Sequence, residues 1–212
     1  MDKRIAKTIE NLKKNNIAAY FVENSAEAVK LVEEMLREGE TISCGGSVTL
    51  QESGVLALMK SGKYNFLDRS LAKSPEEIGE IYRNTFSADT FLTSANALTE
   101  EGELVNVDGN CNRIAAITFG PKSVIVVVGV NKLVKDVTEG FKRVKEIAAP
   151  LNTKRLGCNT PCVKLGKCVR ADRPLPEGCD SPDRICVNYL VSGRQKIKDR
   201  VKVIICNESL GY

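Results

Sequence analysis

The run Ser123–Val128, Ser-Val-Ile-Val-Val-Val, restricts this 212-residue chain more than any other stretch. Five branched aliphatic residues follow one another without the polar alternation of a half-exposed strand. Such a run reads as a strand buried on both faces, which calls for helices on both sides of a largely parallel sheet. The preceding sequence alternates accordingly. Ile17–Val22, Thr41–Cys44, Tyr64–Leu67 and Thr90–Thr93 read as strands, with helical patterns before or between them. The first helix carries Ile5, Ile9 and Leu12 on one face, and the next opens at Asn24 with Ala28, Val32 and Met35 buried. Val48–Met59 reads as one helix, and Ser74-Pro75-Glu76-Glu77 is a strong start for another. Val134, Val137, Phe141, Val144 and Ala148 mark a last helix, which Pro150 is expected to stop. The fold class is therefore α/β, a mostly parallel sheet flanked by helices.

Two interruptions carry the chemistry. Strand Thr41–Cys44 ends in Gly45-Gly46, and Ser47 and Thr49 lead into the next helix, with Thr49 and Glu52 at capping-box spacing. Glycines there let a ligand approach the backbone closely, so the turn is either an anion site or simply a tight corner. Between Glu101 and Phe119 the alternation breaks into turns and short segments, a hairpin-like excursion beside the sheet. The chain closes on Val201–Ile205, a strand pattern that rejoins the main sheet, with Val187–Val191 as a candidate hairpin partner.

Composition excludes several functions. The chain has no histidine, which removes Ser-His-Asp and Cys-His catalysis and any His-ligated metal. A net charge of +4, dispersed along the sequence, gives no footprint for nucleic acid. No apolar run approaches the roughly 18 residues of a membrane span, and the N-terminal stretch lacks the apolar core of a signal peptide, so a cytoplasmic protein is expected. Eight cysteines remain, five of them between Cys158 and Cys186. That segment has no apolar periodicity, and something other than burial must order it. Four thiolates around zinc or an iron–sulfur cluster would do so, leaving one cysteine spare; disulfides suit an oxidising compartment instead. Cys44 and Cys206 read as small buried hydrophobes, whereas Cys111 lies two residues from Arg113, whose charge favours a reactive thiolate.

Three ordered blocks together resemble one family. They are Cys44-Gly45-Gly46-Ser47-Val48-Thr49-Leu50, then Thr93 to Arg113 with its continuation to Asn131-Lys132, and finally Thr160-Pro161-Cys162 with Cys179-Asp180-Ser181-Pro182-Asp183-Arg184-Ile185-Cys186. The chain is similar to the lactate-utilisation (LUD domain) family, in the branch with a C-terminal cysteine segment. The resemblance implies a fold like that of sugar-phosphate isomerases and CoA transferases. It implies a LUD-like domain over 1–150, a cysteine-rich module over 151–186 and C-terminal strands over 187–212. It also implies an association with oxidation of lactate or a related 2-hydroxy acid, as an oxidoreductase component beside iron–sulfur partner proteins. Cys162, Cys168, Cys179 and Cys186 match the family's cysteines and Cys158 does not, so those four are the expected metal ligands, for a cluster or zinc. Two departures stand out: Cys111 replaces a glycine, and Val169–Gly178 lengthens the spacing before Cys179.

On such a fold the glycine turn faces the excursion. Gly45, Gly46, Ser47, Thr49, Asp108, Asn112, Asn131 and Lys132 are then expected to bind a small anionic metabolite. Glu100 and Arg113 are the expected catalytic pair, Glu100 as acid or base and Arg113 as a charge partner. The alternative is a non-catalytic assembly or metabolite-sensing subunit with a structural zinc. A homo-oligomer is compatible with either.

Overall fold

The computed structural model describes residues 2–174 and 177–212. The elements, in chain order, are α1 (Lys3–Lys14), β1 (Ala18–Val22), α2 (Ser25–Met35), β2 (Thr41–Cys44), α3 (Val48–Glu52), α4 (Val55–Met59), β3 (Asn65–Leu67), α5 (Pro75–Asn84) and β4 (Thr90–Thr93). There follow β5 (Ala97–Thr99), β6 (Leu104–Asp108), α6 (Asn112–Thr118), β7 (Ser123–Gly129), β8 (Leu133–Val134), α7 (Val137–Arg143), α8 (Ala149–Arg155), α9 (Pro161–Leu165), β9 (Asn188–Ser192) and β10 (Val201–Cys206). Six strands form one parallel sheet in the order β1-β10-β7-β4-β2-β3. A smaller sheet, β8-β5-β6-β9, contains the excursion, with β5 and β6 antiparallel.

Strand β7 divides its side chains as the sequence requires. Val124, Val126 and Val128 enter one core with Ile5 and Leu12 of α1 and Ala116 and Ile117 of α6. Ile125 and Val127 enter the other with Ala28 and Val32 of α2 and Leu50, Val55 and Met59 of α3 and α4. A strand covered on both sides has no place for a polar residue, which accounts for the unbroken aliphatic run. The expected helix starts are also present. The Asn24 side chain accepts from the Glu27 N–H at 3.0 Å, and Ser74 Oγ accepts from the Glu77 N–H at 3.3 Å.

Four local expectations are corrected. The cap at the glycine turn is Ser47, whose Oγ accepts from the Leu50 N–H at 3.2 Å, so Thr49 is left free for other contacts. The helix after it breaks into α3 and α4, because Gly54 takes a left-handed conformation at φ 79°. Pro150 stops nothing: α7 runs through a π-helical turn, Val144–Ala148, directly into α8. The wider turn changes the hydrogen-bond register ahead of the proline, where its missing N–H and ring would otherwise break an α-helix. Finally, β9 and β10 are not a hairpin. β10 lies between β1 and β7 in the main sheet, while β9 extends the excursion by pairing with β6.

Gly129, at the carboxyl end of β7, is packed against the C-terminal segment. A Cβ there would stand 2.5 Å from the Glu208 carbonyl oxygen and 2.6 Å from the Leu210 nitrogen. Gly129→Ala is expected to lower stability by about 1–3 kcal/mol, the usual range for overpacking, as a shift in the denaturant midpoint at unchanged slope.

Candidate functional site

The carboxyl ends of β2, β4 and β7, neighbours in the sheet, open into a crevice of ≈ 490 Å³. Such ends are where parallel sheets place ligand sites. The turn after β2 supplies Gly46, Ser47 and Thr49, the segment after β4 supplies Ser94 and Asn96, and the turn after β7 supplies Lys132. Asp108, Asn112 and Arg113 come from the excursion, Arg69 from the turn after β3, and Asn152 and Arg155 from α8.

Lys132 is the deepest charge, only 3% exposed. Its Nζ donates to Thr49 Oγ1 at 2.7 Å and Ser94 Oγ at 3.0 Å, and it has no acidic partner within ion-pair distance among the described residues. Burial, reinforced by Arg143 and Arg113, pushes its pKa down to about 7. Thr49 is held in turn by donating to the Leu210 carbonyl at 3.1 Å.

Arg113 is engaged differently. Nε donates to Asp108 at 2.8 Å, Nη1 to the Ser94 carbonyl at 3.1 Å and Asn106 Oδ1 at 2.6 Å, and Nη2 to Asn96 Oδ1 at 2.9 Å and the Val107 carbonyl at 2.8 Å. A guanidinium has five N–H donors, and all five serve the protein. Arg113 thus welds the segment after β4 to β6 and α6, and Asp108 completes the weld by accepting from the Ile114 N–H at 2.9 Å. Gly45 belongs to the same packing, since a Cβ there would lie 3.0 Å from Arg113 Cδ.

Of the expected site residues, Gly46, Ser47, Thr49, Asp108, Asn112, Arg113 and Lys132 line the crevice. Glu100 does not. It sits in the turn after β5, ion-paired with Arg4 and with Lys7 of α1, so the basic face of that helix draws it away from the sheet's carboxyl edge. Asn131 also turns aside: its Oδ1 accepts from the Leu210 N–H and its Nδ2 donates to the Gly211 carbonyl, pinning the C-terminal segment. Arg69, Ser94, Asn96, Asn152, Arg155 and Tyr212 were not anticipated. Arg69 and Ser94 each follow a parallel strand, a signal that was available. Arg155 lies beyond Pro150, where the helix was expected to have ended.

The crevice is electropositive. Arg69, Arg113, Lys132 and Arg155 line it, and among the described residues Asp108, which Arg113 already engages, is the one acidic side chain in that lining. A concave surface of one sign concentrates ligands of the other.

A second cavity, ≈ 20 Å³, is lined by Cys162, Cys168, Cys179 and Cys186, with Val144, Ala149, Pro150, Val169 and Ile185 among its walls. Cys158 does not line it. The Thr160 and Thr153 hydroxyls stand 3.1 and 3.3 Å from Cys162 Sγ. The segment is fastened to the π-turn through Lys145, a buried residue whose Nζ donates to the carbonyls of Arg170 at 3.0 Å, Pro174 at 3.3 Å and Arg173, and whose own carbonyl accepts from the Cys168 N–H. All eight cysteines are free thiols, and no three Cys, Asp or Glu side chains among the described residues form a group that could hold a metal ion directly. Ala149 and Ile185 line both this cavity and the crevice.

The other thiols have local explanations. Burial pushes Cys44 up to about 11, and Cys206 is also raised by burial. Cys111 holds a left-handed conformation, φ 63°, at the position where a glycine is at home. Its Sγ accepts from Asn188 Nδ2 at 2.7 Å, while Arg113 turns its donors elsewhere.

The family model described as the LUD domain matches residues 5–206. A DUF162 family protein from Deinococcus radiodurans shares the fold over 96% of both chains, with a TM-score of 0.55 at 16% identity. Weaker likenesses are to eIF2B beta from Chaetomium thermophilum (14% identity, 56% of this chain and 42% of that one, TM-score 0.39) and to a malonate decarboxylase alpha subunit from Acinetobacter baumannii (13%, 99% and 38%, 0.40). No curated protein matches the chain. Among the described residues no helix is long and apolar enough to cross a membrane.

Proposed function

The chain belongs to the LUD domain family, a lactate-utilisation family, and from that premise we propose that it binds a small anionic acid in the crevice beside a metal centre held by Cys162, Cys168, Cys179 and Cys186. In this reading residues 1–150 form the ligand-binding domain, whose crevice Asn152 and Arg155 of α8 complete, and 151–186 the metal module of a cytoplasmic protein. The observation that carries the proposal is the shared lining: Ala149 and Ile185 border both the four-cysteine cavity and the cationic crevice.

The chain's own residues act as follows. Lys132, protonated by the approach of an anion, holds the carboxylate, while Thr49 and Ser94 fix its Nζ. Arg113 and Asp108 keep the wall in place and do not touch the ligand. The donor set suits a metal centre in identity, being four thiols around one mostly apolar cavity. Zinc requires four sulfurs about one point, whereas a cluster offers each thiolate a separate iron, so the sulfide content of the protein separates the two. When bound, an iron–sulfur cluster supplies single-electron transfer. Oxidation of a 2-hydroxy acid to a 2-oxo acid releases two electrons and two protons; iron–sulfur partner proteins accept the electrons and solvent the protons.

Protein purified without oxygen is expected to be brown and to hold about four irons and four sulfides per chain, as a [4Fe–4S] centre requires. Cys162→Ser should lose both and Cys158→Ser should keep them. Colourless protein with one zinc and no sulfide would remove the electron-transfer role.

A further inference from the structure

The crevice contains a second concentration of positive charge that a simple three-carbon acid leaves unused. A Cβ on Gly46 would stand 2.5 Å from Arg69 Nη2 and 3.9 Å from Arg155 Nη2, so two guanidinium ends converge over a residue with no side chain to part them. Neither has an acidic partner among the described residues. Arg69 donates through Nη1 to Tyr82 Oη at 2.9 Å and stands 5.8 Å from the centre of that ring. Arg155 donates through Nε to Tyr212 Oη at 2.8 Å and through Nη2 to Asn152 Oδ1 at 2.7 Å. Each is thus held by neutral groups in a position where it repels the other. An anion between them removes that repulsion, and paired guanidinium forks match the oxygens of a phosphate.

Lys132 forms a separate anion position. It follows β7, whereas Gly46 follows β2, two strands away in the sheet, which is about 10 Å at sheet level. The volume of ≈ 490 Å³ lies in the range of sites for ligands much larger than lactate.

We propose that the crevice takes a phosphorylated acid, its carboxylate at Lys132 and its phosphate between Arg69 and Arg155 over Gly46. The proposal rests on the reading of the crevice as an anion site and adds the class of ligand. Gly46 is then glycine because a Cβ there would push the Arg69 guanidinium out of its place beside Arg155. Arg69 and Arg155 select the phosphate ester, and Lys132 anchors either ligand, with or without it.

Calorimetry on the full chain with glycerate, 3-phosphoglycerate and inorganic phosphate tests this. The phosphorylated acid is expected to bind at least tenfold more tightly than glycerate. Arg69→Gln and Arg155→Gln, both at sites outside the buried core, should each reduce that preference severalfold, weakening the phosphorylated acid much more than glycerate, which loses only the general attraction of the crevice. Equal affinity for the two acids, or a preference that survives both substitutions, overturns the phosphate position while leaving the anion site standing. Failure of all three probes to bind the wild-type chain overturns the anion site itself, and the phosphate position with it.

Discussion

Lys132→Met is expected to weaken anion binding by about 100-fold and, in the same protein, to raise the melting temperature of the free chain by about 5 °C at pH 6. Both effects follow from one circumstance. An ammonium that is only 3% exposed, with two hydroxyls as its partners and Arg143 and Arg113 as the charges that act on it most strongly, is held at a cost to the fold. Glu52 opposes those arginines and is the weakest of the three influences. Methionine fills similar volume without the charge, and about 2 kcal/mol regained corresponds to roughly 5 °C in a chain of this size. Removing the charge an anion needs costs about 2–5 kcal/mol of binding. A lysine that merely supported the fold would give the opposite sign in the melt.

The pH dependence has a definite direction. The pKa of Lys132 is about 7 in the folded chain against 10.5 for an unperturbed lysine. Between those values the unfolded chain holds more protons, so this residue makes stability rise with pH across that window, and below pH 7 the full burial cost remains. Lys132→Met should flatten that rise. Anion binding behaves inversely. It requires the ammonium form, so affinity should fall as pH climbs above 7, and binding near neutrality should be accompanied by proton uptake, measurable by calorimetry in buffers of different ionisation heat.

Arg113→Gln should cost stability rather than chemistry, by about 3–5 kcal/mol. Five hydrogen bonds would be lost, and the largely buried Asp108 carboxylate would be left facing the crevice without its cation. Arg113→Lys should rescue little, because one ammonium cannot span Asp108, Asn106 and Asn96 together. Denaturant titration of both variants decides the matter: a fully stable Arg113→Gln protein that fails only in turnover would restore the residue to a catalytic role.

Arg113 and Lys132 differ in how much of their surroundings is written in nearby sequence. The main sheet could be read because the Ser123–Val128 run and the caps at Asn24 and Ser74 are governed by local periodicity and nearby hydrogen bonds. The glycine turn and Lys132 could be placed at one crevice because both follow parallel strands. Their partners could not. Nothing in the sequence distinguishes an arginine whose five donors are consumed by the segment after β4 and by β6 from one that reaches a ligand. Glu100 was misplaced for the same reason, since the charges that claim it lie on α1, about a hundred residues earlier in the chain. Arg155 was hidden by Pro150, because a π-turn that carries a helix past a proline leaves no local mark in sequence. Four of the five clustered cysteines were separated from Cys158 by resemblance, and it is those four that line the cavity.

If crevice and cysteine cavity serve one function across Ala149 and Ile185, an acid bound in the crevice is felt at the metal centre. The most direct measurement is the paramagnetic spectrum of the anaerobically purified, chemically reduced protein, recorded with and without a saturating 2-hydroxy acid, in the wild type and in Lys132→Met. The expected result is a cluster signal that shifts when the acid binds to the wild type and does not shift in the variant. A cluster signal indifferent to bound acid would contradict it.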